Sequence, residues 1–157
     1  MLYPRSLPWT LRPSYDPLHV VTAPLFDPQP VRGGRPASAT AALIDRGMEA
    51  YLRGDYARAA ARLTEAAVED STPGVSFFLG ASRLLTGDPA RALPALEIAW
   101  SEIGGPFEVD ARRLGAKAWL RLGRADSALA VLEPPRRGSS AAFVPLRALA
   151  DSIRGAR

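Results

Sequence analysis

The chain has 157 residues, a length that fits a single domain. Hydrophobic residues make up 47% and charged residues 23%, while cysteine is absent and histidine occurs once, which excludes disulfides, zinc–thiolate centres, cysteine nucleophiles and most histidine-based catalysis. The net charge of +4 collects at the two ends, since residues 40–132 hold eleven basic against twelve acidic side chains, so the body lacks the cationic face that dominates nucleic-acid affinity.

The chain opens on a proline-rich stretch. Pro4, Pro8, Pro13, Pro17, Pro24, Pro28, Pro30 and Pro36 leave no room for a long helix or a central strand. A disordered leader would be poor in aromatic and large aliphatic residues. This stretch instead carries Tyr3, Trp9, Tyr15, Leu18 and Phe26. Residues 1–38 are therefore expected to form an extended arm that packs on a surface, either of its own chain or of a partner, through those five side chains. Residues 18–26, LHVVTAPLF, would also suit a short strand. His19 has no companions for metal binding or catalysis. The prolines between Met1 and Pro13 interrupt the apolar core that a signal peptide needs, and no run of 18 apolar residues suggests a membrane span. The expected chain is soluble, and its lack of cysteine suits the periplasm and the cytoplasm alike.

After the arm the chain repeats itself. Residues 47–60 read GMEAYLRGDYARAA, residues 80–93 GASRLLTGDPARAL and residues 116–129 AKAWLRLGRADSAL. Each has a small residue, a glycine seven later and an alanine five after that: Gly47/Gly54/Ala59, Gly80/Gly87/Ala92 and Ala116/Gly123/Ala128. The glycines suit left-handed helix ends, and Asp55 and Asp88 suit the N-caps of the helices that follow. Leu63, Leu96 and Leu132 fall four residues after each alanine, on the same helical face. The pattern predicts three helical hairpins: about 39–53 with 56–70, 75–86 with 89–102, and 107–122 with 125–133. Pro94 falls inside the fourth helix and is expected to cost about 3 kcal/mol or to bend it. A seventh helix at about 140–154, capped by Ser139 or Ser140, collects Phe143, Leu146, Leu149, Ala150 and Ile153 on one face. Pro145 argues for a start a few residues later.

At these residues, over about 40–134, the chain resembles the tetratricopeptide repeat family. The Gly–Asp–Tyr/Pro and Ala–x3–Leu elements are present, and the small–x2–aromatic element is complete at Ala116 and Trp119. The aromatic early in the first helix of each unit is replaced by Leu43, Ser76 and Arg112. The resemblance implies an all-α fold: a right-handed solenoid of three hairpins plus a C-terminal capping helix, spanning residues 39–157 and preceded by the arm. Such a capping helix covers the apolar edge of the last repeat.

The resemblance also implies a concave groove lined by the first helix of each unit. Carried over by register, the lining is Ile44, Met48 and Tyr51, then Phe77, Ala81 and Leu84, then Arg113, Lys117 and Arg121. A groove apolar at one end and basic at the other suits a peptide with apolar anchors and an acidic end. The asparagines with which some family members clamp a peptide carboxylate have no match here. Met48, Tyr51 and Phe77 at this spacing suit a core equally well, and the chain's own arm is a second candidate to fill the groove.

No G-x-S-x-G, phosphate-loop, G-x-G-x-x-G or HExxH pattern occurs, and Glu69-Asp70 and Glu108/Asp110 read as charges at helix ends. The expected function is non-catalytic, with no cofactor, metal or small-molecule substrate. It is that of a protein–protein interaction module, an accessory or assembly subunit of a larger bacterial complex, membrane complexes included. Two alternatives stand beside it. One is a peptide-binding adaptor that uses the groove in trans. The other is a peripheral attachment to anionic membrane or nucleic acid through the basic termini, which added salt would abolish. Lys117 is the only lysine against 19 arginines, which looks like the coding bias of a GC-rich bacterium.

Overall fold

A computed structural model describes residues 38–133 and 143–155. Over these residues the fold is all-α, with seven helices and no strand. They are α1 (Ala39–Leu52), α2 (Tyr56–Ala67), α3 (Pro73–Leu85), α4 (Pro89–Ser101), α5 (Glu108–Arg121), α6 (Ala125–Leu132) and α7 (Val144–Gly155). The expected arm up to residue 37, its candidate strand and the caps Ser139 and Ser140 lie outside the described residues, while Ser38 caps α1.

Local chemistry sets the helix ends. Gly54, Gly87 and Gly123 have φ of 80°, 85° and 73°, a region that side chains with a Cβ avoid. Each turn closes with the same pair of bonds. Asp55 N–H donates to Ala50 O at 2.9 Å, Asp88 to Arg83 O at 2.9 Å and Arg124 to Trp119 O at 2.8 Å. The three glycine amides donate to Tyr51, Leu84 and Leu120 at 3.0, 3.2 and 2.9 Å, which completes a Schellman ending three times over. Asp55 and Asp88 then cap the next helix, each accepting from the amide three residues on at 3.1 Å. The third turn has Arg124 at this position and no side-chain cap; its guanidinium lies 5.7 Å from the Trp119 ring instead.

Some boundaries differ from those expected. Helix α2 stops at Ala67, and Asp70 accepts the Thr72 amide at 3.1 Å, forming the turn into α3. Helix α3 starts two residues early because Pro73 takes its first position, where a missing N–H costs nothing. Helix α4 runs through Pro94, whose ring faces solvent, between Leu93 and Ala95, which are both buried. Helix α7 begins at Val144, with Pro145 in its first turn, and buries the expected Leu146, Leu149, Ala150 and Ile153 beside Phe143.

The helices pack in chain order, each on the next, and α1 also meets α3, α3 meets α5 and α5 meets α7. Helix α3 is central. Its residues from Val75 through Ser82 are all buried, more than two turns, so every face of it is covered. One core runs from Ile44 on α1 to Ala118 on α5. A second joins Ala116 and Leu120 on α5 with Ala128 and Leu132 on α6 and the apolar face of α7. Trp119 packs against both.

Within the first two hairpins the helices meet at a residue with no side chain. A Cβ on Gly47 would come within 2.8 Å of Leu63 Cγ, and one on Gly80 within 2.6 Å of Leu96 Cγ and 3.2 Å of the Ala92 carbonyl. In the third hairpin Ala116 and Leu132 share the second core. Gly80→Ala is therefore expected to lower stability by about 2 kcal/mol through overpacking, despite alanine's better helix propensity. Urea unfolding followed by circular dichroism measures it, and a neutral or stabilising result would show that Leu96 has room to move.

Candidate functional site

The expected groove residues fall into two groups. Ile44, Phe77, Ala81 and Leu84 lie inside the first core, and Met48 and Tyr51 pack half-buried against it. Phe77 and Leu84 are each 0% exposed, so they present no surface to a partner. This corrects their assignment as groove-lining residues. The reason is tertiary. Phe107, just before α5, stacks on Phe77 with ring centroids 5.1 Å apart, and Phe78 meets Phe77 edge-on at 5.2 Å. Tyr51 in turn sits edge-on to Phe78 at 5.2 Å and to Tyr56 at 5.4 Å.

The basic end of the expected groove is also largely engaged. Arg113 pairs with Asp110 at 2.7 Å, and its Nε is buried. Lys117 is half-buried and interacts with its surroundings. Arg121 is exposed, yet it donates to the Leu84 carbonyl at 2.6 Å, tying α5 to the end of α3. Arg121 of the third unit and Leu84 of the second thus touch. The arm candidates Tyr3, Trp9, Tyr15, Leu18 and Phe26 lie outside the described residues.

Sequence reading passed over two charged assemblies. The first is structural. Glu108 is buried at the start of α5, accepts the Gly104 amide at 2.7 Å and pairs with Arg112 Nε at 3.1 Å. Arg112 carries the link onward to the Val131 carbonyl at 3.1 Å, close to the end of α6. One buried pair therefore joins the α4–α5 loop to the third hairpin. The i,i+4 spacing of Glu108 and Arg112 signals a pair, but nothing local signals its burial. The second assembly is a cluster of arginines on the first hairpin around an open cavity of about 220 Å³. Arg83 ties α2, α3 and α4 together through Thr64 Oγ1 at 3.1 Å and the Arg91 carbonyl at 3.0 Å. Burial, and then the neighbouring Arg91, push its guanidinium below the usual arginine value, against the opposing pull of Asp88.

Among the described residues no group of three or more His, Asp or Glu side chains could hold a metal ion, and no helix is long and apolar enough to cross a membrane. Comparison with protein-family models, with curated proteins and with solved structures gives no match. The functional reading therefore rests on this chain's own geometry.

Two outcomes follow from the site's electrostatics. Glu108→Ala leaves Arg112 buried without its carboxylate and is expected to cost about 3 kcal/mol, whereas Glu49→Ala, in an exposed pair with Arg53, should cost less than about 1 kcal/mol. Equal losses in urea unfolding would refute the distinction. The Tyr51 phenol is pushed up to about 12, first by burial and then by Tyr56. An unfolded tyrosine ionises near about pH 10, so the stability from the neutral phenol is complete below that pH and is lost as pH rises through the folded value. Tyr51→Phe should accordingly flatten the fall in melting temperature between about pH 10 and 12.

Proposed function

We propose that the chain is a non-catalytic protein–protein interaction module, an accessory or assembly subunit of a larger bacterial complex, of which a membrane-associated complex is one kind. Its helices are read as a right-handed solenoid of three tetratricopeptide-like hairpins with α7 as the cap, preceded by an extended arm over residues 1–38. The observation that carries this reading is the threefold recurrence of one hairpin: the same glycine turn with the same bonds, a small residue on the first helix (Gly47, Gly80, Ala116) and a leucine on the second (Leu63, Leu96, Leu132). Units that bury their faces on their neighbours form extended rigid surfaces, and such surfaces serve recognition. The enclosed Phe77 and Leu84 weigh against an apolar groove open to a peptide in trans. They favour anchoring through the arm and through outward surfaces.

The arm is tested in the full chain. Trp9→Ser combined with Phe26→Ser removes two of its large apolar side chains. A native pull-down from the source organism followed by mass spectrometry is expected to lose the principal partner with this variant and to keep it with Met48→Ala. Retention by the arm variant together with loss by the Met48 variant would move the anchor to the repeat surface.

A further inference from the structure

The arginine cluster on the first hairpin has no part in the packing described above. Arg46 on α1, Arg53 at the C-cap of α1, and Arg58 and Arg62 on α2 line the open cavity, together with Ala50, Glu49 and Asp55. Arg46, Arg53 and Arg58 are exposed, and the first hairpin joins the core through other residues, Ile44, Leu63 and Ala66 among them. The two acids of the cavity are already occupied. Glu49 bonds Arg53, and Asp55 caps the Arg58 amide and stands 3.7 Å from its Nε. Arg62 reaches outward to Glu65 at 3.3 Å. Arg46 has no partner among the described residues, and the lining as a whole holds four cations against two anions.

These pairs are exposed; the side chains of Arg53 and Glu49 are 67% and 57% accessible. Exposed pairs hold little energy and exchange readily for an incoming carboxylate. A guanidinium offers five donors in a planar fork that matches a carboxylate in two-point contact. Arg46 uses none of its donors within the described residues, and Arg58 makes only the long contact to Asp55. Donors from two facing helices therefore converge on one concavity.

The surroundings restrict what can bind. Asp45, Glu65, Glu69 and Asp70 belong to the same hairpin, whose residues 39–70 carry four Arg against six acids. A long polyanion such as nucleic acid, or an anionic membrane, would meet those acids beyond the cavity and be repelled. A compact ligand would meet only the cavity lining, in which four arginines outnumber Glu49 and Asp55, both already paired with arginines.

We propose that this cavity is a docking site for a short acidic segment of a partner protein, receiving two adjacent Asp or Glu carboxylates between α1 and α2. The proposal rests on the interaction-module reading and adds to it the chemistry of the partner and the place where it binds.

The probe is a fluorescein-labelled, capped tetraglutamate peptide titrated with the full-length protein at low salt, with tetraglutamine as the uncharged control. Saturable one-to-one binding is expected for the first peptide and none for the second. Arg46→Glu should weaken it by about tenfold or more, because a donor fork is replaced by a repelling charge. Arg154→Glu makes the same change of charge on α7, outside the cavity, and should leave the affinity unchanged. Circular dichroism melts check that both variants keep the parent fold. Absence of binding, equal loss in both variants, or tighter capture of a twelve-nucleotide single strand than of the peptide would each overturn the proposal. The two readings also fail separately. A natural partner captured equally well by the parent and by Arg46→Glu overturns the docking site and spares the module. A protein that captures no partner in the native pull-down, yet binds the peptide through Arg46, loses the module reading instead.

Discussion

Everything in this fold depends on how closely two consecutive helices can approach. At Gly47 and Gly80 the first helix of a hairpin offers bare backbone, and Leu63 and Leu96 fill the space that a side chain would take. Each contact is made between residues sixteen positions apart, so it forms early in chain length and needs no distant partner. Once each hairpin is closed, its outward apolar faces must be covered, and the next hairpin in the chain covers them. A second close approach locks the units together, with the six-membered ring of Trp100 on α4 against Gly115 on α5, where a Cβ would collide with it. The glycines thus act twice, within hairpins and between them.

Much of this architecture is legible in the sequence because its determinants are local. Gly54 with Asp55, and Gly87 with Asp88, each spell a helix end and a helix start within two residues, and the structure places the turns there. The face of α7 is equally plain from its spacing. Illegible features depend on residues far apart in the chain. Phe77 has the register of a groove residue and is core because Phe107, thirty positions later, stacks on it. Leu84 is enclosed at a helix end that Arg121 crosses from α5. Glu108 looks like an ordinary charge in a first helical turn, and its burial comes from the loop at Gly104 and from Arg112 reaching α6. Arg46, Arg53, Arg58 and Arg62 become a cluster only when the first hairpin folds back on itself.

The polar contacts divide the labour in a related way. Exposed i,i+3 and i,i+4 pairs such as Arg62–Glu65 and Arg154–Asp151 decorate single helices and contribute little to stability. Arginines bridge helices at three places: Arg83 to the Arg91 carbonyl and to Thr64 Oγ1, Arg112 to the Val131 carbonyl and Arg121 to the Leu84 carbonyl. The Val131 carbonyl lies in the last turn of α6, where the amides of the helix run out. The long, planar guanidinium bridges adjacent helices without burying a second charge. A chain with nineteen arginines and a single lysine is well supplied for this work.

The two ends of the helical array differ in kind. At one end the last hairpin lays its apolar face against α7, while at the other the first hairpin presents the arginine-lined cavity. A duplicated unit spliced into the interior would bring its own glycine–leucine closure and find apolar neighbours on both sides. Added beyond α7, the same unit would meet a helix whose apolar face is already spent; added before α1, it would have to bury arginines. Growth and shrinkage of such a protein over evolutionary time should therefore proceed from the middle, with both ends carried along unchanged.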